Sequence, residues 1–327
     1  MNKFIYLSIF IVILFVGCSS RQYYEPEETL TFKEKTEKLS APIIELNSQG
    51  GTLEDFSFIS KDGIIKNLKV GYKFLNYQNN TILAADDNAT LYVKNDTLEK
   101  TLSFEKNIIS ASISNNILAF SSNDNSITLY DVNQEQILFK EYLKYSTINN
   151  VKIANPLFLN SLVLYPTLDG KVVIVDTKTK AIVKTLNIDP NSDINNIIFL
   201  EKIDDSLIAA TTTKIFSFVN GTPNIKEVDV QNIIVQGQFI YVATLDGQII
   251  KYTKELQKII SKKFKFAKIH ALAAGDYLYA LESQGYLIQI DKEFKDAKIY
   301  DFSFDNEEKV IAIDNKIYFE DEYIILK

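Results

Sequence analysis

The sequence contains no tryptophan and only one cysteine, one histidine and one methionine, and each scarcity removes a class of chemistry. A single cysteine cannot close an internal disulfide, so the fold stands on its core alone. A single histidine cannot build a multi-histidine zinc site, and no second thiolate is there to help. Among only 11 glycines there is no Gly-x-Ser-x-Gly elbow, phosphate-cradling loop or dinucleotide fingerprint. Positive charge is also in deficit: 35 Lys and Arg against 42 Asp and Glu give a net charge of −7. A surface of that sign is expected to repel nucleic acid and anionic lipid headgroups alike. Long apolar runs are missing too, except for Phe4 to Val16, which is shorter than the roughly 20 residues a membrane-spanning helix needs. Preceded by Lys3, that run reads as an export signal.

What ends the signal is Phe15-Val16-Gly17-Cys18, which resembles the lipobox of bacterial lipoproteins. The resemblance implies cleavage after Gly17, acylation of Cys18 on its sulfur and its new amine, and a membrane contact made through those chains. Each buried CH₂ contributes about 0.8 kcal/mol, so several chains hold far more firmly than one. Ser19 stands where an aspartate resembles an inner-membrane retention signal in enteric bacteria, which points towards the outer membrane. The expected organisation is a signal peptide over 1–17, a lipidated tether over 18–40 and a folded domain over 41–327. A flexible tether of about 20 residues would hold that domain a few nanometres from the membrane, at about 5 to 6 Å × √n.

From about residue 70 onward one unit repeats: an alternating apolar run, a tight polar turn, a second alternating run and a polar gap. The clearest copy runs from Leu162 to Asp176, with Asp169-Gly170 between β-branched runs. Asp-Gly there is a strong hairpin signal, because a type I′ turn needs positive φ at both central residues. Phe239 to Ile250 repeats the layout around Asp246-Gly247; Tyr277 to Asp291 does so around Gln284-Gly285, and Ile117 to Asp131 around Asp124-Asn125. Weaker copies lie at 82–95, 207–220 and 316–327. Taking Ala89, Asn125, Gly170, Lys214, Gly247, Gly285 and Asp321 as turn markers, the spacing averages about 39 residues, the period of a four-stranded propeller blade. Period-two alternation excludes helical repeats of similar length. The fold class is therefore all-β, a propeller of about seven blades, with eight also open. The last copy stops at Lys327 after its third strand, so its outermost strand must come from the other terminus, and Pro42-Ile43-Ile44-Glu45-Leu46 is the expected donor.

Chemistry is sparse. His270, in Ile269-His270-Ala271-Leu272-Ala273-Ala274, reads as a polar residue at the start of an inner strand, or as a lone base facing a central channel. Asp86-Asp87, Asp204-Asp205 and Glu307-Glu308 have the residue types of carboxylate pairs, yet each sits in a polar gap where solvated charge is the default. Asn123-Asp124-Asn125 has calcium-ligand types without the glycine and distal glutamate of an EF-hand. Asp189-Pro190-Asn191-Ser192-Asp193 reads as a solvated turn. No catalytic residue and no metal ligand is assigned.

The repeat from Leu162 to Asp176, continuing through Thr177-Lys178-Thr179-Lys180-Ala181-Ile182, is similar to the quinoprotein-type propeller repeat, whose strand pair ends in Asp-x-x-Thr-Gly; Lys180 takes the glycine position. Quinoprotein alcohol dehydrogenases of this fold stack their cofactor on a tryptophan beneath a vicinal disulfide. This chain has neither, so no cofactor is expected. A lipobox followed by a cofactor-free propeller of this type resembles the BamB family, lipoproteins of the outer-membrane β-barrel assembly machinery. The resemblance covers about residues 41 to 327. It implies eight blades and a non-catalytic periplasmic scaffold that binds the barrel-inserting subunit through loops on one face. No loop motif identifies the contact residues. Two other readings stand beside it: a surface-exposed lipoprotein propeller that binds an external ligand or host protein, and a hydrolase or lyase propeller with a channel site.

Overall fold

The structure is a computed structural model that describes residues 22–190, 195–302, 304 and 308–327. The signal segment, Cys18, Ser19, residues 191–193 and Glu307 lie outside the described residues. The described residues are all β and contain no helix. They form eight sheets, each of four consecutive strands apart from two contributions by the N-terminal segment.

Blade 1 is short, with strands Ile43–Leu46, Gly51–Leu53, Phe58–Ser60 and Gly63–Ile65. Blade 2 begins at Lys73, blade 3 at Ile108, blade 4 at Leu157, blade 5 at Phe199, blade 6 at Val230, blade 7 at Ile269 and blade 8 at Val310. In every blade the chain meanders outward from an innermost strand, as at Ile108–Ser114, Ile117–Ser122, Ser126–Asp131 and Gln136–Tyr142 of blade 3. Two faces follow from this course. Turns between second and third strands share one face with the blade-to-blade connectors (the connector face); the other hairpins share the opposite one (the hairpin face).

The repeat is legible because the turn positions need left-handed backbone. Gly170, Gly247 and Gly285 have φ of 74°, 78° and 85°, and the non-glycine markers Ala89 and Asn125 have 58° and 65°. Asp169, Asp246, Gln284 and Asp124 before them are not left-handed, so each turn has one left-handed residue and is not the expected type I′. Blade 5 turns differently: the Thr211 hydroxyl accepts from the Thr213 and Lys214 amides, replacing the glycine turn with a side-chain cap. The blade missing from the sequence count is blade 1, whose strands are too short to show alternation.

There is no single central core. Eight separate hydrophobic clusters each bridge one pair of neighbouring blades; Ala119, Ile127, Val163 and Val175, for example, join blades 3 and 4. Second strands are sandwiched on both sides, so Thr81–Ala85, Ser206–Ala210 and Leu278–Glu282 are buried at every position. That accounts for their small, continuous apolar composition.

Closure corrects one expectation. The strand completing blade 8 is Glu37–Lys38, which pairs antiparallel with Glu322–Ile325. Ile43–Leu46 is instead the innermost strand of blade 1. The pairing of the termini is as expected, but its donor lies a few residues earlier, because blade 1 uses the apolar run for its own inner position. Residues 24–39 also lie against the ring. Leu30–Thr31 pairs parallel with Tyr300–Asp301 as a fifth strand of blade 7. Tyr24 is buried between blades 6 and 7, its ring edge-on to Phe264 and Tyr286 at 6.1 and 5.8 Å. Phe32 packs edge-on to Tyr300 and Phe302.

Candidate functional site

A cavity of about 790 Å³ occupies the centre of the ring. It is lined by inner strands of blades 5 to 8, by the Leu46–Gln49 hairpin of blade 1 and by the connector between blades 3 and 4. Inner strands carry bulges, which re-aim single side chains. In blade 7, Ile269 pairs with Glu282 and Ala271 with Leu281, leaving His270 as the extra residue. His270 thereby faces the channel, half-buried, with its ring 5.6 Å from that of Phe304. Burial, then the nearby Lys152 and Lys268 charges, hold its pKa below the ordinary 6.5, so it is a neutral imidazole near pH 7.

Side-chain amides clasp blade 1 to blade 2, blade 2 to blade 3 and blade 6 to blade 7. Asn76 donates to the Ala111 carbonyl at 3.0 Å, Asn232 to the Ile269 and His270 carbonyls at 2.8 and 3.0 Å, and Gln236 to the Gly275 carbonyl at 2.9 Å. Asn47 reaches the Phe74 and Leu75 carbonyls in the same way. At Phe74, Leu75, Ile269 and His270 the clasped carbonyls lie at the bulges themselves, where the ladder is interrupted.

The connector 143–156 crosses the channel as a plug. Asn155 accepts from the Ala111 amide and donates to the Leu75 carbonyl; Ser48 of blade 1 donates to the Ile153 carbonyl; Ala154 donates to the Ile197 carbonyl. Lys152 reaches blade 6, donating to Asn232 Oδ1 at 2.7 Å, and burial pushes its pKa down to about 8. Elsewhere on the wall, burial and then the neighbouring Asp314 raise the pKa of Glu201, which Lys61 partly offsets.

The other residues singled out from sequence have structural partners. Asp86 accepts from the Asn88 and Thr90 amides and Asp87 pairs with Lys73 at 3.1 Å. Asp204 pairs with Lys254 at 3.1 Å. Glu308 lines the channel. Asp124 caps Ser126, and Asn125 ties the blade 3 turn to Leu168 and Asp169 of blade 4. Asp189, expected in a solvated turn, is instead buried against Lys214 at 3.1 Å, with Asn195 and Thr213 donating to it. Among the described residues no three His, Cys, Asp or Glu side chains are grouped as metal ligands would be. The plug and the clasps were not anticipated. The recurring Asn or Gln in the inner strands is the signal that could have revealed them.

No protein-family model matches the chain. Among solved structures, BamB from Moraxella catarrhalis superimposes with a TM-score of 0.64 at 14% identity, covering 89% of this chain and 100% of that one. In fold, the chain is a BamB-like β-propeller. The BamB-like ring is also matched by the C-terminal WD40 domain of Sif2, with a TM-score of 0.63 at 13% identity, covering 90% of this chain and 99% of that domain. At the level of sequence, the plasminogen-binding protein PgbB of Helicobacter pylori strain J99 is 28% identical over 387 aligned residues, covering 99% of this chain and 71% of that protein. PgbB of strain 26695 is 27% identical with the same coverage.

Proposed function

We propose that this chain is a lipid-anchored envelope protein whose propeller binds protein partners and makes or breaks no bonds, and that its partner is an extracellular protein of the plasminogen type. The observation that supports this partner most strongly is the 28% identity to PgbB over an alignment that covers 99% of the chain. The anchor in this reading is acylated Cys18, with 1–17 removed as the signal peptide.

A second reading has its own support: the BamB-like ring behind a lipobox suits a periplasmic scaffold of the barrel-assembly machinery. The two require opposite sides of the outer membrane. Protease treatment of intact cells, with a periplasmic protein as control, separates them. Degradation of the propeller together with saturable plasminogen binding by the purified protein supports the first. Protection, with the barrel-inserting subunit recovered in a mild-detergent pull-down, supports the second and overturns the first.

A further inference from the structure

The net charge of −7 conceals a local reversal. Between Lys251 and Lys268 stand seven lysines and a single acidic residue, Glu255. Lys251 lies in the third strand of blade 6 and Lys254, in the turn on the hairpin face, pairs with Asp204 at 3.1 Å; the rest of the stretch forms the outer strand, Lys258–Lys263, and the connector that follows it on the connector face. Lys263 is neutralised by Asp246 at 2.6 Å. Among the described residues no carboxylate lies within ion-pair distance of Lys258, Lys262, Lys265 or Lys268. The Lys262 ammonium instead donates to the Lys295 carbonyl, and Lys265 lies over the Phe266 ring. The same rim exposes large apolar side chains: Leu245 is 61% exposed, Tyr23 49% and Phe266 38%. The backbone brings them together, since Phe264 donates to the Gly247 carbonyl at 2.9 Å, laying the connector against the Leu245–Gly247 turn. Tyr24, next to Tyr23, contacts Phe264 directly.

Apolar tips set among unpaired lysines have the composition of a peripheral membrane contact, in which the tips enter the headgroup layer and the ammonium groups meet lipid phosphates. The N-terminal segment fixes where the membrane lies. Cys18 stands only six residues before the buried Tyr24, so even a fully extended chain spans no more than about 20 Å between them. We propose that the connector-face rim of blades 6 and 7, carrying Leu245, Lys265, Phe266 and Lys268, seats on a membrane surface containing anionic phospholipid. This replaces the expectation of general repulsion from anionic lipid, because screening beyond about 8 to 10 Å makes the local patch, not the net charge, decide contact. The location rests on the Cys18 anchor proposed above; the charge and shape of the rim do not.

The test uses the chain from residue 18 with Cys18→Ser, which retains every described residue, and co-sedimentation with phosphatidylcholine vesicles with or without about one-third phosphatidylglycerol. Binding to the anionic vesicles only is expected. Lys265→Gln and Lys268→Gln together are expected to weaken it about twenty-five-fold, at about fivefold per lysine. Leu245→Ser with Phe266→Ser should weaken it about tenfold, and Lys226→Gln on the outer strand of blade 5 should leave it unchanged. Equal binding to neutral vesicles, no binding to either, or a Lys226→Gln loss as large as the per-lysine effect overturns the proposal. The anchor is read separately, by the mass of the N-terminal peptide from the native envelope. An unmodified Cys18 there removes the anchor whatever the vesicles show.

Discussion

Blades 4 and 8 present nearly the same four-stranded sheet and are made in opposite ways. Blade 4 is one stretch of chain, 157–187, with a glycine turn and a seven-residue outer strand. Blade 8 takes three strands from the C-terminus and a two-residue outer strand from residues 37–38. What that outer strand lacks in ladder it recovers in side-chain and flanking contacts. Leu39 and Ile43 donate to the Asp321 and Glu320 carbonyls, Lys38 meets Asp321 and Glu322 at 3.1 and 2.7 Å, and Tyr323 donates to Glu37. A blade can thus be specified by local alternation or by distant anchors. Only the first kind announces itself in the sequence.

The most severe break in the comparison is removal of residues 22–42. It strips blade 8 of its fourth strand and unseats Tyr24, Phe32 and Leu39, so we expect loss of a single cooperative unfolding transition by circular dichroism. Next come two fully buried tyrosines, Tyr165 in blade 4, whose hydroxyl donates to the Thr128 carbonyl at 2.9 Å, and Tyr318 in blade 8, stacked on Tyr323 at 5.4 Å. Each Tyr→Ala change should cost about 3 to 5 kcal/mol by denaturant unfolding. A much smaller cost at Tyr318 would mean that the closing blade is loosely packed.

Acid sharpens the contrast. Burial alone would raise the Asp189 carboxyl, but Thr213, Asn195 and Lys214 together outweigh it and hold its pKa below the ordinary 3.8. Its contribution is therefore full above 3.8 and lost as pH falls below that value towards the depressed folded one. Asp189→Asn should cost about 2 kcal/mol at neutral pH, since it leaves the buried Lys214 without its nearest anion, and should flatten the acid limb of the stability curve. An unchanged acid limb would place the titrating group elsewhere. The smallest effect concerns Lys180, at φ of 55° in the position where the related repeat has glycine. Lys180→Gly should stabilise by about 0.5 to 1 kcal/mol, measured as a higher urea midpoint.

The repeat from blade 2 to blade 8 was readable because turns such as Asp169-Gly170 and Asp246-Gly247 carry their geometry in their residue types. Blade 1 has an Asp62-Gly63 too, but between its third and fourth strands, not its second and third, and three-residue strands give alternation too little length to register. The closing strand was misplaced by its composition: Glu37–Lys38 has neither β propensity nor apolar character and is held by tertiary contacts alone. The channel was the least legible part. His270 was visible as an oddity, whereas the bulge that turns it inward and the plug that brings Lys152 beside it depend on contacts across the ring.

The N-terminal segment also imposes an order on biogenesis. Residues 24, 31 and 38 leave the ribosome first, yet their docking sites at Phe264, Asp301 and Glu322 are made last. While the chain is being made, every blade with both neighbours present can assemble in turn, but the ring stays open until its C-terminal residues arrive. A stalled or shortened chain would then expose two raw sheet edges and an unfilled aromatic socket, features by which proteases could tell an unfinished molecule from a finished one.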